Sequence, residues 1–261
     1  MRKLALLFAI GSFSTVWLSS CIPNDPNTGD DSATVIGSAL SSQDGATSFS
    51  EADISGQQDP GLKSAEGPSQ SASATTVYTY KTITNTKDTA SKSATDGTRT
   101  WTFSRSYTLS TKFKIATSGT SVVTTVDSLL SSHSYSGTFS GPKLSSSHSG
   151  NSTIILTNIG TYKSVNLDWT LNGTYSRTGT TTIKASGDVM TYSTQITFAN
   201  VVFNHITKAI ASGTATATIS GSDKKKSFTY TGAITFNGDA TSKLVIVGKT
   251  YTINLTTGET K

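Results

Sequence analysis

From Thr76 to the end of the chain, hydrophobicity alternates with a period of two. In "TWTFSRSYTLSTKFKI", Trp101, Phe103, Arg105, Tyr107, Leu109, Phe113 and Ile115 fall on one side, and Thr100, Thr102, Ser104, Ser106, Thr108, Ser110, Lys112 and Lys114 on the other. Successive side chains point to opposite faces only on a strand, so such a segment has one core face and one wet face. The pattern recurs in "SVNLDWTL" (Val165, Leu167, Trp169, Leu171), "MTYSTQITF" (Met190, Tyr192, Ile196, Phe198), "SFTYTGAITF" (Phe228, Tyr230, Ile234, Phe236) and "KTYTINL" (Tyr251, Ile253, Leu255). Threonine, β-branched and polar, suits the exposed face of a pleated sheet.

Turn residues punctuate these runs. Asn172-Gly173 and Asn237-Gly238 read as type I′ hairpins, and Gly248-Lys249 as a II′ turn. Gly160, Ser186-Gly187 and Gly221-Ser222 mark further reversals. Glycine recurs in "SGTFSG", "NGTYSRTG", "SGTATATISG" and "TGAITFNG", where mid-strand glycines allow bends. No long helical pattern intervenes, which argues against parallel crossovers. The expectation is an all-β domain over 76–261: an antiparallel meander of roughly ten to fourteen long Ser/Thr-rich strands, forming a sandwich or an open or closed barrel.

The N-terminus has a separate purpose. Arg2 and Lys3 precede a short apolar run, Leu4 to Trp17, and small residues lead to Cys21, the only cysteine in the chain. That order is a secretory signal peptide over 1–20, too short to span a bilayer. "LSSC", Leu18 to Cys21, resembles the lipobox of bacterial lipoproteins. The resemblance implies cleavage before Cys21 and lipidation of its thiol, with a membrane anchor in the cell envelope. Ile22, standing where some lipoproteins have Asp, implies the outer membrane if the cell has one.

Residues 21–75 read as the lipidated cysteine followed by a flexible acidic linker. Residues 22–75 carry eight acids against the single base Lys63, and Phe49 is their one aromatic residue. Such a composition buries too little apolar surface to offset the entropy of ordering. A short helix near Thr34 to Leu40 would be marginal alone. Residues 76–261 carry the opposite charge, 18 Lys and Arg against eight acids. A basic domain beside a membrane suits anionic envelope lipids or glycans as partners. Scattered lysines also keep a threonine-rich sheet soluble and blunt its edges.

Candidate chemistry is sparse. The domain's carboxylates mostly neighbour turns, and no two share one strand face at close spacing. His133, His148 and His205 lie in no metal-ligand spacing, and His205, in step with Val201 and Phe203, reads as a core histidine. No nucleophile elbow or phosphate-binding glycine loop occurs. "SDKKKS" lacks the interleaved aromatics that stack bases, so nucleic acid is not an expected partner. No cofactor is implied. Asp31-Ser32-Ala33, Asp88-Thr89-Ala90 and Asp127-Ser128-Leu129 resemble an O-glycosylation triplet of some bacteria. Arg105 breaks the apolar face of its strand. It would pair with an internal acid, snorkel at a rim, or meet an anionic ligand. The expected function is a non-enzymatic structural, adhesive or interaction domain on a membrane anchor. The alternatives are a β-barrel carrier of an apolar or amphiphilic ligand and an enzyme acting on envelope glycans.

Overall fold

The computed structural model describes residues 26–41, 77–96, 99–118, 121–161, 164–204, 206–207, 209–222 and 226–261. They form one helix and one sheet. Helix α1 spans Pro26–Leu40; the strands are β1 (Val77–Asp96), β2 (Arg99–Ser118), β3 (Ser121–Ser140), β4 (Leu144–Thr157), β5 (Gly160–Thr161), β6 (Ser164–Val165), β7 (Asp168–Ile183), β8 (Val189–Asn204), β9 (Ile210–Ser222), β10 (Ser227–Phe236), β11 (Thr241–Ile246) and β12 (Lys249–Asn254). The sheet is an antiparallel meander, β1-β2-β3-β4-β7-β8-β9-β10-β11-β12, with β5 and β6 a small hairpin beside β3. β1 and β12 do not pair, so the sheet stays open.

Alternation sets the faces as the sequence predicts. β10 runs exposed-buried throughout, with Phe228, Tyr230, Ile234 and Phe236 inward. Trp169, Met190, Tyr192, Ile196, Phe198, Leu244, Ile246 and Ile253 join them in one continuous core.

Two features depart from the sequence expectation. The first is α1, which contains the marginal helix expected at Thr34 to Leu40 but is longer and packs into the domain, within the stretch read as linker. Ala33, Val35, Ile36, Ala39 and Leu40 are 0–2% exposed, packed into the core of the β domain. Every residue from Val35 to Ser41 is buried, so the C-terminal half of the helix is enclosed on all sides. The domain boundary therefore does not fall at Thr76 for residues 26–41. A helix this short draws its stability from tertiary burial, about 1.5–3 kcal/mol for each of Val35, Ile36 and Leu40. Its small residues admit it close to the C-terminal segment. A Cβ on Gly37 would lie 2.5 Å from the carbonyl oxygen of Gly258, so α1 and the C-terminal segment touch backbone to backbone.

The second departure concerns turns. Asn172-Gly173 is no hairpin. It sits inside β7 at a register shift against β8, with Gly173 at φ 144° and Asn172 Oδ1 accepting from the backbone N–H of Asn200 at 2.9 Å. The positive-φ residue that a I′ turn needs serves a bulge equally well. Gly221-Ser222 likewise closes β9 as strand. Asn237-Gly238 does join β10 to β11, within a four-residue loop. The β11–β12 reversal uses Val247-Gly248, not Gly248-Lys249, and both residues have positive φ, 51° and 73°. That is a I′ signature, strained at Val247 because its side chain is β-branched.

Candidate functional site

Where β3, β4, β7 and β8 face the interior, the buried positions turn polar. Arg177 in β7 is 1% exposed. Its Nε donates to Tyr192 Oη at 3.1 Å, and its Nη2 donates to His148 Nδ1 at 2.7 Å and to Ser38 Oγ of α1 at 3.5 Å. A guanidinium only donates, so His148 Nδ1 is the acceptor and the ring proton sits on Nε2. Burial, and then the charge of Arg177, push the His148 pKa from 6.5 down to about 2. The imidazole is therefore neutral at ordinary pH. Ser146 Oγ lies 3.2 Å from Tyr192 Oη, extending the network to a second hydroxyl.

Tyr135 of β3 reaches across β4 and donates its hydroxyl to the carbonyl of Ser176 in β7, at 2.6 Å. Gly150 lies beneath it: a Cβ there would sit 1.9 Å from that carbonyl and 2.5 Å from the Tyr135 hydroxyl. The glycine is thus required by close approach. Tyr135 stacks on Tyr175 with centroids 5.2 Å apart. Burial and then that neighbouring phenol push the Tyr135 pKa far upward, so it remains a neutral donor. On the same face Ser131 Oγ meets His133 Nε2 at 2.7 Å. Among the described residues, the buried hydroxyls of Ser152, Thr181 and Thr194 find no hydrogen-bond partner.

The open seam of the sheet lies nearby. The C-terminal segment folds back along β12, where Lys261 and Thr252 exchange backbone hydrogen bonds at 2.9 Å. Arg99, at the start of β2, forms an ion pair with Glu259, and Lys143 Nζ donates to the carbonyl of Thr260 at 2.8 Å. These contacts draw the β3–β4 turn toward the last residues across a cleft lined by Thr34, Ser38, Arg99, Phe139, Lys143 and Glu259. Ser38 belongs to both features, lining the cleft and accepting from Arg177.

The residues singled out in the sequence are placed as follows. Cys21 and His205 lie outside the described residues. Arg105 sits in β2 opposite Ala90 of β1 and Tyr135 of β3; its side chain lies outside the described part. Ser32 of the first glycosylation triplet is 0% exposed within α1, so the folded domain does not present it. The functional-looking residue that the sequence reading passed over is Arg177. Its signal was present: Trp169, Tyr175 and Arg177 share a parity, so Arg177 breaks an apolar face as Arg105 does. Reading Asn172-Gly173 as a turn cut the strand just before it.

His133 and His148 are 3% and 5% exposed. With Arg177 they are sealed from solvent, and the hydrogen bonds described tie strands and α1 together. Among the described residues, no three His, Cys, Asp or Glu side chains group to hold a metal. Comparison with protein-family models, curated proteins and solved structures finds no match.

Proposed function

We propose that this chain is a lipid-anchored protein of the bacterial cell envelope, held at the outer membrane where one exists, whose β domain scaffolds or binds partners and performs no catalysis. The observation that carries this reading is α1 packed against the buried face of the sheet. α1 lies on the inward face of β7, β9, β11 and β12, the face on which a barrel carrier would hold its ligand. The groups best suited to acid–base work are buried in hydrogen bonds, and His148 is held neutral. The anchor rests on the lipobox-like Leu18–Cys21. Intact mass of the purified membrane form tests it: the expected product starts at Cys21 with acyl chains attached. An unmodified N-terminus would refute the anchor.

A carrier role is the second reading. It is favoured by the buried hydroxyls of Ser152, Thr181 and Thr194, which have no hydrogen-bond partner among the described residues, and by the cleft that reaches Ser38. Mass spectrometry of organic extracts from the purified domain separates the two. No stoichiometric amphiphile is expected, and one equivalent would establish the carrier.

A further inference from the structure

The helix changes where the domain stands. Read as a linker, residues 22–75 would let the β domain roam far from its anchor. The structure removes most of that freedom. α1 starts at Pro26, five residues after Cys21, and five residues fully extended span at most ~17 Å. From there the chain is held. Asp30 accepts from Lys249 Nζ at 2.9 Å and from the Tyr251 hydroxyl; Thr34 Oγ1 lies 3.2 Å from Thr260 Oγ1; and Ser38 accepts from Arg177.

The entry point also selects an end of the sheet. A Cβ on Gly29 would touch Val247 of the β11–β12 turn. In a meander every second turn lies at the same end. The β3–β4 and β7–β8 turns therefore share the end where α1 enters, and the β8–β9 and β10–β11 turns lie at the other. The two ends differ chemically. Exposed Lys143, Lys184 and Lys249 mark the entry end. Lys143 and Lys184 donate to the Thr260 carbonyl and the Ser140 hydroxyl, both neutral acceptors, and, after the hydrogen bond from Lys249, the charge of Lys143 also helps to hold the Asp30 carboxyl below its ordinary pKa. Lys249 is paired with Asp30, and Asp188 lies in the β7–β8 turn. The far end carries Asp239 and the exposed Ile206, which is 64% accessible.

We infer that the domain stands upright on the membrane that holds Cys21, with the entry-end turns and their lysines against anionic lipid headgroups. This rests on the anchored reading above. A lysine at an anionic surface strengthens attachment by about fivefold. The sixteen residues of β7 would hold the far end up to ~50 Å above the headgroups.

Energy transfer in vesicles tests this with the full, acylated chain. The Cys21 thiol is consumed by acylation, so Ala185→Cys in the β7–β8 turn and Ile206→Cys beyond β8 each give one labelling site. With a headgroup acceptor in phosphatidylglycerol-containing vesicles, strong transfer is expected from position 185 and little from 206. Equal or reversed transfer in acylated protein that floats with the vesicles would overturn the orientation and leave the anchor standing. Protein without acyl mass that fails to float would overturn the anchor, and the orientation with it.

Discussion

The buried face of the sheet has two halves of different chemistry. Across β9 to β12 it is largely apolar: Ala217, Ile219, Ile234, Phe236, Leu244, Ile246 and Ile253 are all at most 3% exposed. Across β3, β4 and β7 the same inward parity delivers Ser131, His133, Ser146, His148, Ser152, Arg177 and Thr181 among its aromatic residues. α1 packs against β7, β9, β11 and β12 and so bridges the two. Its apolar residues enter the core, and Ser38 reaches the polar half. Alternation dictates which side chains go inside; it does not dictate that the inside be uniformly apolar. One half is held by area removed from water, and the other depends on each buried polar group finding a partner.

Perturbing each half in turn should separate these mechanisms. The largest effect is expected where a charge enters the apolar contact. Ile36→Asp places a carboxylate at a position with 0% exposure and should cost about 4 kcal/mol or more in urea unfolding, by undocking α1 or burying an unpaired charge. A loss below about 1 kcal/mol would mean that the sheet does not need the helix.

The polar half should show itself through pH. Folding lowers the His148 pKa from 6.5 to about 2, so below 6.5 the unfolded chain binds a proton that the folded chain refuses. The stability is fully present above about pH 6.5 and is lost progressively as pH falls toward the folded value. The limiting slope is about 1.4 kcal/mol per pH unit. His148→Asn keeps an acceptor near Arg177 and cannot titrate. Unfolding at pH 7 and pH 5 should show that this variant lacks the slope. An equal slope in both proteins would place the acid sensitivity elsewhere.

A smaller effect is expected at the β11–β12 turn. Val247 holds φ 51°, a region that Asn adopts more readily. Val247→Asn should raise stability by up to about 1 kcal/mol, less whatever packing is lost against the core. A clear rise in melting temperature checks it, and a fall would mean that the packing of Val247 outweighs its strain.

These contrasts also explain what the sequence made legible. The strands and their faces followed from alternation because a period of two has a single structural meaning, and an antiparallel meander followed from short connections without helical patterns. The helix near Thr34 to Leu40 was legible as a marginal element, but its docking into the core escaped for a physical reason. Its apolar residues are few and small, Asp30 and Asp31 gave the segment an acidic cast, and its stability comes from partners far along the chain, such as Thr260. Arg177 was hidden by the Asn-Gly pair before it, since bulge and turn draw on the same positive-φ residues. The contacts of Gly150 with Tyr135 and Ser176 depend on the register of three strands, which no local pattern encodes.

α1 is part of the domain core. Hydrogen exchange with peptide-level mass readout examines this on the intact chain. The amides of Val35 to Leu40 should be protected to the same degree as those of β8 and β10, exchanging only with global unfolding. Complete exchange of these amides within seconds, while the strands remain protected, would show that the segment is a linker after all.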